Sequence, residues 1–189
     1  MVRAGRDIAL DSIDWAKLIR PGELVAWGQA SAEPVTLVAS LLENRASIGG
    51  FRAFVGISNS THVDTRYSDH VTYSSYCGTA GNSRLGEQLN ILPISYGQLA
   101  QVLGSESPVV ILSLAEGRDS AHFSYGAGGV ITSVTSSIAR ASSLPKLAIN
   151  RRVQAVARIC GVTKSISSCA RTPCRRRRSR CGWVRQNFR

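Results

Sequence analysis

The chain has 189 residues, 43% of them hydrophobic, enough for one core-bearing domain and too apolar for a wholly disordered protein. No apolar run approaches the roughly 20 residues needed to cross a bilayer, and the start, Met1-Val2-Arg3 followed by Asp7, Asp11 and Asp14, lacks the apolar stretch of a secretory signal, so a cytoplasmic protein with no membrane partner is expected. The net charge of +11 is unevenly placed: all 12 acidic residues, Asp7 to Asp119, precede Gly128 with nine basic ones, whereas residues 128–189 hold the other fourteen basic residues and no acid.

In chain order, strand-length runs of apolar, β-branched or aromatic residues occur at Leu24–Trp27, Phe51–Val55, Val71–Tyr76, Leu89–Leu92 and Val109–Leu114, each followed by Gly, Pro, Ser or Asn. Helical patterns lie between them. Pro34 to Leu42 sets Val35, Val38, Leu41 and Leu42 on one face, and Ser95 to Leu103 sets out Leu99, Val102 and Leu103, with Ser95 as N-cap and Gly104 as the stop. Strands alternating with helices predict an α/β fold, a layered, mostly parallel sheet with crossover helices whose ligands bind at the carboxyl ends of the strands.

After Gly129 this order dissolves. Residues 130–143 are mostly Ser, Thr, Ala, Val and Ile without a period, and residues 174–181 read Cys-Arg-Arg-Arg-Arg-Ser-Arg-Cys. At ordinary usage 62 residues contain roughly seven or eight carboxylates, so their absence gives the two parts different compositional origins. Residues 1–127 are therefore expected to form the domain and 128–189 a disordered basic tail. Cys77 is alone in the first part, and Cys160, Cys169, Cys174 and Cys181 in the second include no Cys-x-x-Cys pair, so no metal site and no disulfide framework is expected.

The most informative stretch is Leu24-Val25-Ala26-Trp27-Gly28-Gln29-Ala30-Ser31-Ala32-Glu33-Pro34-Val35-Thr36-Leu37: a strand, a small-residue turn, and a helix with Pro34 in its first turn, where a missing N–H is harmless. Such a turn either joins strand to helix and nothing more, or lets a ligand approach the backbone closely and offers free amides to an anion. Glu33 is read first as a helix N-terminal acid favoured by the macrodipole, and second as a residue that helps place substrate. His62, His70 and His122 occur singly, without metal-ligand spacing, and Ser124 lies in Phe-Ser-Tyr-Gly rather than in a Gly-x-Ser-x-Gly elbow.

The pattern of Gly28, Ala32, Glu33, Pro34 and Leu37 resembles the first strand-turn-helix of the acetyl-CoA hydrolase/transferase family, which includes acetate and 4-hydroxybutyrate CoA-transferases. The likeness continues through Arg84-Leu85, Leu92-Pro93-Ile94-Ser95-Tyr96, Val109-Val110-Ile111-Leu112-Ser113 and His122-Phe123-Ser124-Tyr125-Gly126, covering residues 12–127. It implies the amino-terminal half of a two-domain enzyme of acetate metabolism that moves coenzyme A between an acyl-CoA and a small carboxylate through a glutamyl-CoA thioester, with the CoA thioester as substrate and no bound cofactor. Gly28, Gln29, Ala32, Glu33, Pro34, Tyr125 and Gly126 are the implied substrate and CoA-pocket candidates. The family's nucleophilic glutamate lies in its second half and matches no position here, so no catalytic residue is assigned and the chain is expected to be truncated and inactive. The resemblance leaves open a homo-oligomer for the intact enzyme.

A reading-frame shift near Gly126 to Gly129 accounts for the acid-free tail. Ser142-Ser143-Leu144-Pro145-Lys146 can be encoded so that the offset frame, beginning with the last base of Ala141, reads Val-Val-Ile-Ala-Glu; Thr163 to Cys169 allows Asp-Glu-Val-Asp-Leu-Val-Val in the same offset. The rival is a non-enzymatic basic protein that binds nucleic acid through Arg175, Arg176, Arg177, Arg178 and Arg180, since arginine runs neutralise phosphates and the neighbouring Trp183 and Phe188 could stack on bases.

Overall fold

The computed structural model describes residues 5–6, 10–106, 108–116, 123–124, 152–158 and 183–184. Its centre is a sheet in the order β5-β4-β3-β2-β6, formed by Leu24–Trp27 (β2), Phe51–Phe54 (β3), Val71–Ser75 (β4), Leu89–Ile91 (β5) and Val109–Glu116 (β6), with every neighbouring pair parallel. Gly5–Arg6 (β1) lies outside it and pairs with Trp183–Val184 (β9). The expected α/β fold, a layered and mostly parallel sheet with crossover helices, is present.

Strand β2 is the most readable in the sequence because both faces of the sheet are covered there, so it is apolar at every position, whereas β3, β4 and β5 carry exposed polar residues at Arg52, Thr72 and Asn90. All four residues of β2 are buried. Val25 and Trp27 join one core with Trp15, Ile19, Leu37, Val38, Leu41, Leu42 and Tyr73. Leu24 and Ala26, pointing the other way, join a smaller one with Phe54, Leu99, Leu103, Val110 and Leu112. The helices supplying these layers are Trp15–Leu18 (α1), Val35–Glu43 (α2) and Arg45–Ile48 (α3) on the larger core and Leu99–Ser105 (α4) on the smaller.

The helix patterns are met with shifts of face. In α2 the buried set is Leu37, Val38, Leu41 and Leu42, while Val35, the first residue of the helix, is 40% exposed and takes no part in the core. Each such buried aliphatic side chain contributes about 1.5–3 kcal/mol relative to exposure. Ahead of α4, both the backbone N–H and the Oγ of Ser95 donate to Gln98 Oε1 at 2.9 Å, closing a 3-10 turn at Tyr96–Gln98. Gly104 does not stop the helix, which runs on to Ser105 with Glu106 as C-cap.

Beyond residue 116 the sheet gains two antiparallel strands, Phe123–Ser124 (β7) and Arg152–Arg158 (β8), both paired with β6. Ala115 is opposite Ser124 in one and Arg152 in the other, so β7 and β8 flank β6 on opposite sides. Since β2 pairs with β6 only at Val109 to Ile111, β7 continues the lane of β2 past Trp27. The disorder expected of residues 128–189 is thus not met at Arg152–Arg158, which pairs with β6 from Val109 to Ala115. The physical reason is local: Val153-Gln154-Ala155-Val156-Ala157 is uncharged and carries two β-branched residues, which suits it to the open edge of an apolar strand.

Candidate functional site

From β2 the chain steps outward through β3, β4 and β5, then returns to the other side of β2 with β6. The reversal falls between β2 and β6, and the crevice beyond the carboxyl ends of the strands at such a point is where open α/β sheets bind ligands. The turn after β2, Gly28 to Pro34, sits there. Gly28 donates its N–H to the Ile111 carbonyl at 3.2 Å, and a Cβ at this position would overlap the Ala32 carbonyl, so only glycine fits the turn. Ala30 holds φ 50, the left-handed region that costs a non-glycine residue about 1–3 kcal/mol, and is kept there by a 2.7 Å bond from its N–H to the Ile57 carbonyl.

Gln29 gathers the edge. Its Oε1 accepts from the Ile57 N–H at 3.0 Å and the Tyr76 hydroxyl at 2.6 Å, and its Nε2 donates to Tyr96 Oη at 3.2 Å. Ile57 follows β3, Tyr76 follows β4 and Tyr96 follows β5, so one side chain from the turn after β2 ties together the loops after the next three strands. The approach is close: a Cβ on Gly56 would overlap Gln29 Oε1 and stand 2.7 Å from Gln29 Cβ. Tyr76 and Tyr96 meet edge to face at 5.5 Å, and both pack with Leu92 and Ile94 against the smaller core.

Glu33 and Asn82 form a second, buried knot. Glu33 is 7% exposed; its Oε1 accepts from Ser58 Oγ at 2.7 Å, and its Oε2 from the N–H groups of Asn59 at 3.2 Å and Ser60 at 3.3 Å. Asn82 is fully buried, donating through Nδ2 to the Gly56 carbonyl at 2.6 Å, the Cys77 carbonyl at 3.2 Å and Ser75 Oγ at 3.3 Å, while Oδ1 accepts from the Ser58 N–H. The Arg84 guanidinium caps this knot by donating to the Ser60 carbonyl. Burial raises the Glu33 pKa, and the hydrogen bonds from Ser58, Asn59 and Ser60 oppose the rise without cancelling it. The Trp27 indole N–H acts in their direction although it does not meet hydrogen-bond geometry. Ser58 is fully buried, so its contact with Glu33 braces the loop after β3 and offers no nucleophile to a ligand.

The structure therefore brings together Gly28, Gln29, Ala32, Glu33 and Pro34. Glu33 departs from the helix-dipole expectation in that its carboxylate bonds the backbone after β3 rather than the first turn of α2. Tyr125 and Gly126 lie outside the described residues, although β7 carries the chain just before them into the lane of β2. The arginines at 175–178 and 180, with His122, also lie outside. His62 is half-buried and touches the knot only through its backbone N–H, which donates to Ser60 Oγ at 3.0 Å, and His70 is exposed. Among the described residues no three His, Cys, Asp or Glu side chains converge to hold a metal ion. The sequence reading missed Ser58, Ser60, Tyr76, Asn82 and, as a member of the site, Tyr96. The available signal was the polar run Gly56-Ile57-Ser58-Asn59-Ser60 directly after an apolar strand.

No family model and no curated protein matches this chain. Among solved structures it is similar to RipA from Yersinia pestis, known from a crystal structure, at 18% identity and a TM-score of 0.43 over 55% of this chain. The match spans 30% of that protein's length, and a likeness of this extent carries no argument about function.

Proposed function

We propose that residues 1–127 are the amino-terminal α/β part of an acyl-CoA:carboxylate CoA-transferase or acetyl-CoA hydrolase. The intact enzyme moves CoA between an acyl-CoA and a small acid such as acetate or 4-hydroxybutyrate in the cytoplasm. One observation carries the proposal: the turn whose residues bear the family resemblance is the turn at the β2/β6 switch point, and its Gln29 and Glu33 organise the carboxyl edge of the sheet.

The chemistry asked of this half is binding and placement. Gln29 fixes two phenols at the carboxyl edge of the sheet, and Glu33 and Asn82 brace the loops after β3 and β4 beside them. The attacking carboxylate belongs to the second half, so this chain alone is expected to transfer no CoA. The test is to express the gene with its frame restored near codon 127 and to measure CoA transfer from acetyl-CoA to propionate or 4-hydroxybutyrate. Turnover in the restored protein and none in the present chain is the expected pair of results; an inactive but folded restored protein would contradict the proposal.

A further inference from the structure

The hydrogen-bond directions around Gln29 can be assigned one by one. A backbone N–H can only donate, so the side-chain atom that meets the Ile57 N–H is the amide oxygen and the amide cannot be flipped. The Tyr76 hydroxyl, 2.6 Å from the same oxygen, must then spend its proton on it. The amide nitrogen, which has no lone pair to offer, donates to Tyr96 Oη at 3.2 Å. Tyr96 is therefore an acceptor from Gln29, and among the described residues no acceptor meets its own proton. A phenol is protonated at neutral pH at its ordinary value, and burial raises the Tyr96 pKa further. The ring is half-buried, held edge-on against Tyr76 and packed with Leu92 and Ile94, so it arrives at the mouth already oriented.

From this placement we infer that the Tyr96 hydroxyl donates a hydrogen bond to an acyl oxygen of the bound ligand, either the carboxylate of a small acid or the thioester carbonyl of its CoA ester. The choice of ligand rests on the function proposed above; the presence at the carboxyl edge of an oriented donor with no acceptor among the described residues does not. Gln29 is then a positioning residue, which acts on the ligand only through the phenol it holds.

The test uses the full chain carrying tyrosine labelled with 13C at Cζ, with resonances assigned by Tyr96→Phe and Tyr76→Phe. Sodium acetate and acetyl-CoA are titrated separately. Acetate is expected to move the Tyr96 resonance saturably, and Tyr96→Phe to weaken acetate binding about ten-fold, the loss typical of one hydrogen bond to a charged acceptor. Gln29→Leu, with its circular dichroism unchanged, should weaken binding several-fold by freeing the phenol; native affinity there would refute the positioning role. Acetyl-CoA bound equally by the native and Tyr96→Phe chains would leave the CoA assignment standing and overturn the donor. Acetate moving Tyr96 while acetyl-CoA binds no tighter than acetate would do the reverse. Silence of every tyrosine towards both ligands would overturn both.

Discussion

Gly56→Ala probes the packing that holds the site, because the three atoms nearest to the added methyl all belong to Gln29. It would overlap Gln29 Oε1 and lie 2.7 Å from Gln29 Cβ, closer than such atoms come, with Cδ at a tight 3.1 Å, so Gln29 must leave its position. Leaving breaks the bonds to Ile57, Tyr76 and Tyr96 together. At about 0.5–1.5 kcal/mol net for each neutral hydrogen bond, the loss is about 2–4 kcal/mol. The restriction that alanine places on the unfolded chain returns at most about 1 kcal/mol. The assay is urea unfolding of Gly56→Ala, Gln29→Gly and the double variant as a cycle. In the Gln29→Gly background there is no side chain to displace, so the same methyl should cost under about 1 kcal/mol. Equal costs in both backgrounds, or a Gly56→Ala chain as stable as the parent, would refute the inference that Gln29 and Gly56 are locked against each other.

Other outcomes follow from the same geometry. Leu41→Ala, at a fully buried position of α2, should lower unfolding free energy by about 2–5 kcal/mol in urea, whereas Val35→Ala on the same helix, 40% exposed, should change it by under about 1 kcal/mol. Glu33 has a folded pKa raised above its unfolded value, so the folded state binds the extra proton between the two values. Stability must then fall as pH rises from the ordinary carboxylate range through the folded pKa, and level off above it. Glu33→Gln should flatten that segment of the stability-versus-pH curve, and a segment of undiminished slope would mean that another group titrates there. Assays of the present chain with acetyl-CoA and acetate, propionate or butyrate should match an enzyme-free control; turnover well above it would require a nucleophile not yet identified.

The sequence disclosed the parallel sheet within two residues at either end of each strand: β2 is apolar throughout because both of its faces are covered, whereas β3, β4 and β5 keep exposed polar residues at Arg52, Thr72 and Asn90 and are legible from the apolar and aromatic residues around them. It disclosed the site turn through Gly28 and Pro34, whose backbone demands are local. The hub at Gln29 and the knot at Asn82 were hidden for the opposite reason: their partners come from loops after β3, β4 and β5, and no local pattern records which loops converge. Val35 misled because helical period alone does not say where the first turn stands relative to the sheet. Arg152–Arg158 was hidden in a cationic tail whose composition argued for disorder as a whole, although its middle five residues are uncharged and strand-prone.

The claim that this chain is one half of an acyl-transferring enzyme is tested most directly by the genomic sequence across codons 124–132 and onward past codon 189. A displaced frame near Gly126 to Gly129, with a second α/β half containing a nucleophilic glutamate encoded downstream, is the expected finding. An intact frame in independent isolates, with no such half following in any frame, would contradict it and favour the basic tail as a selected nucleic-acid-binding segment.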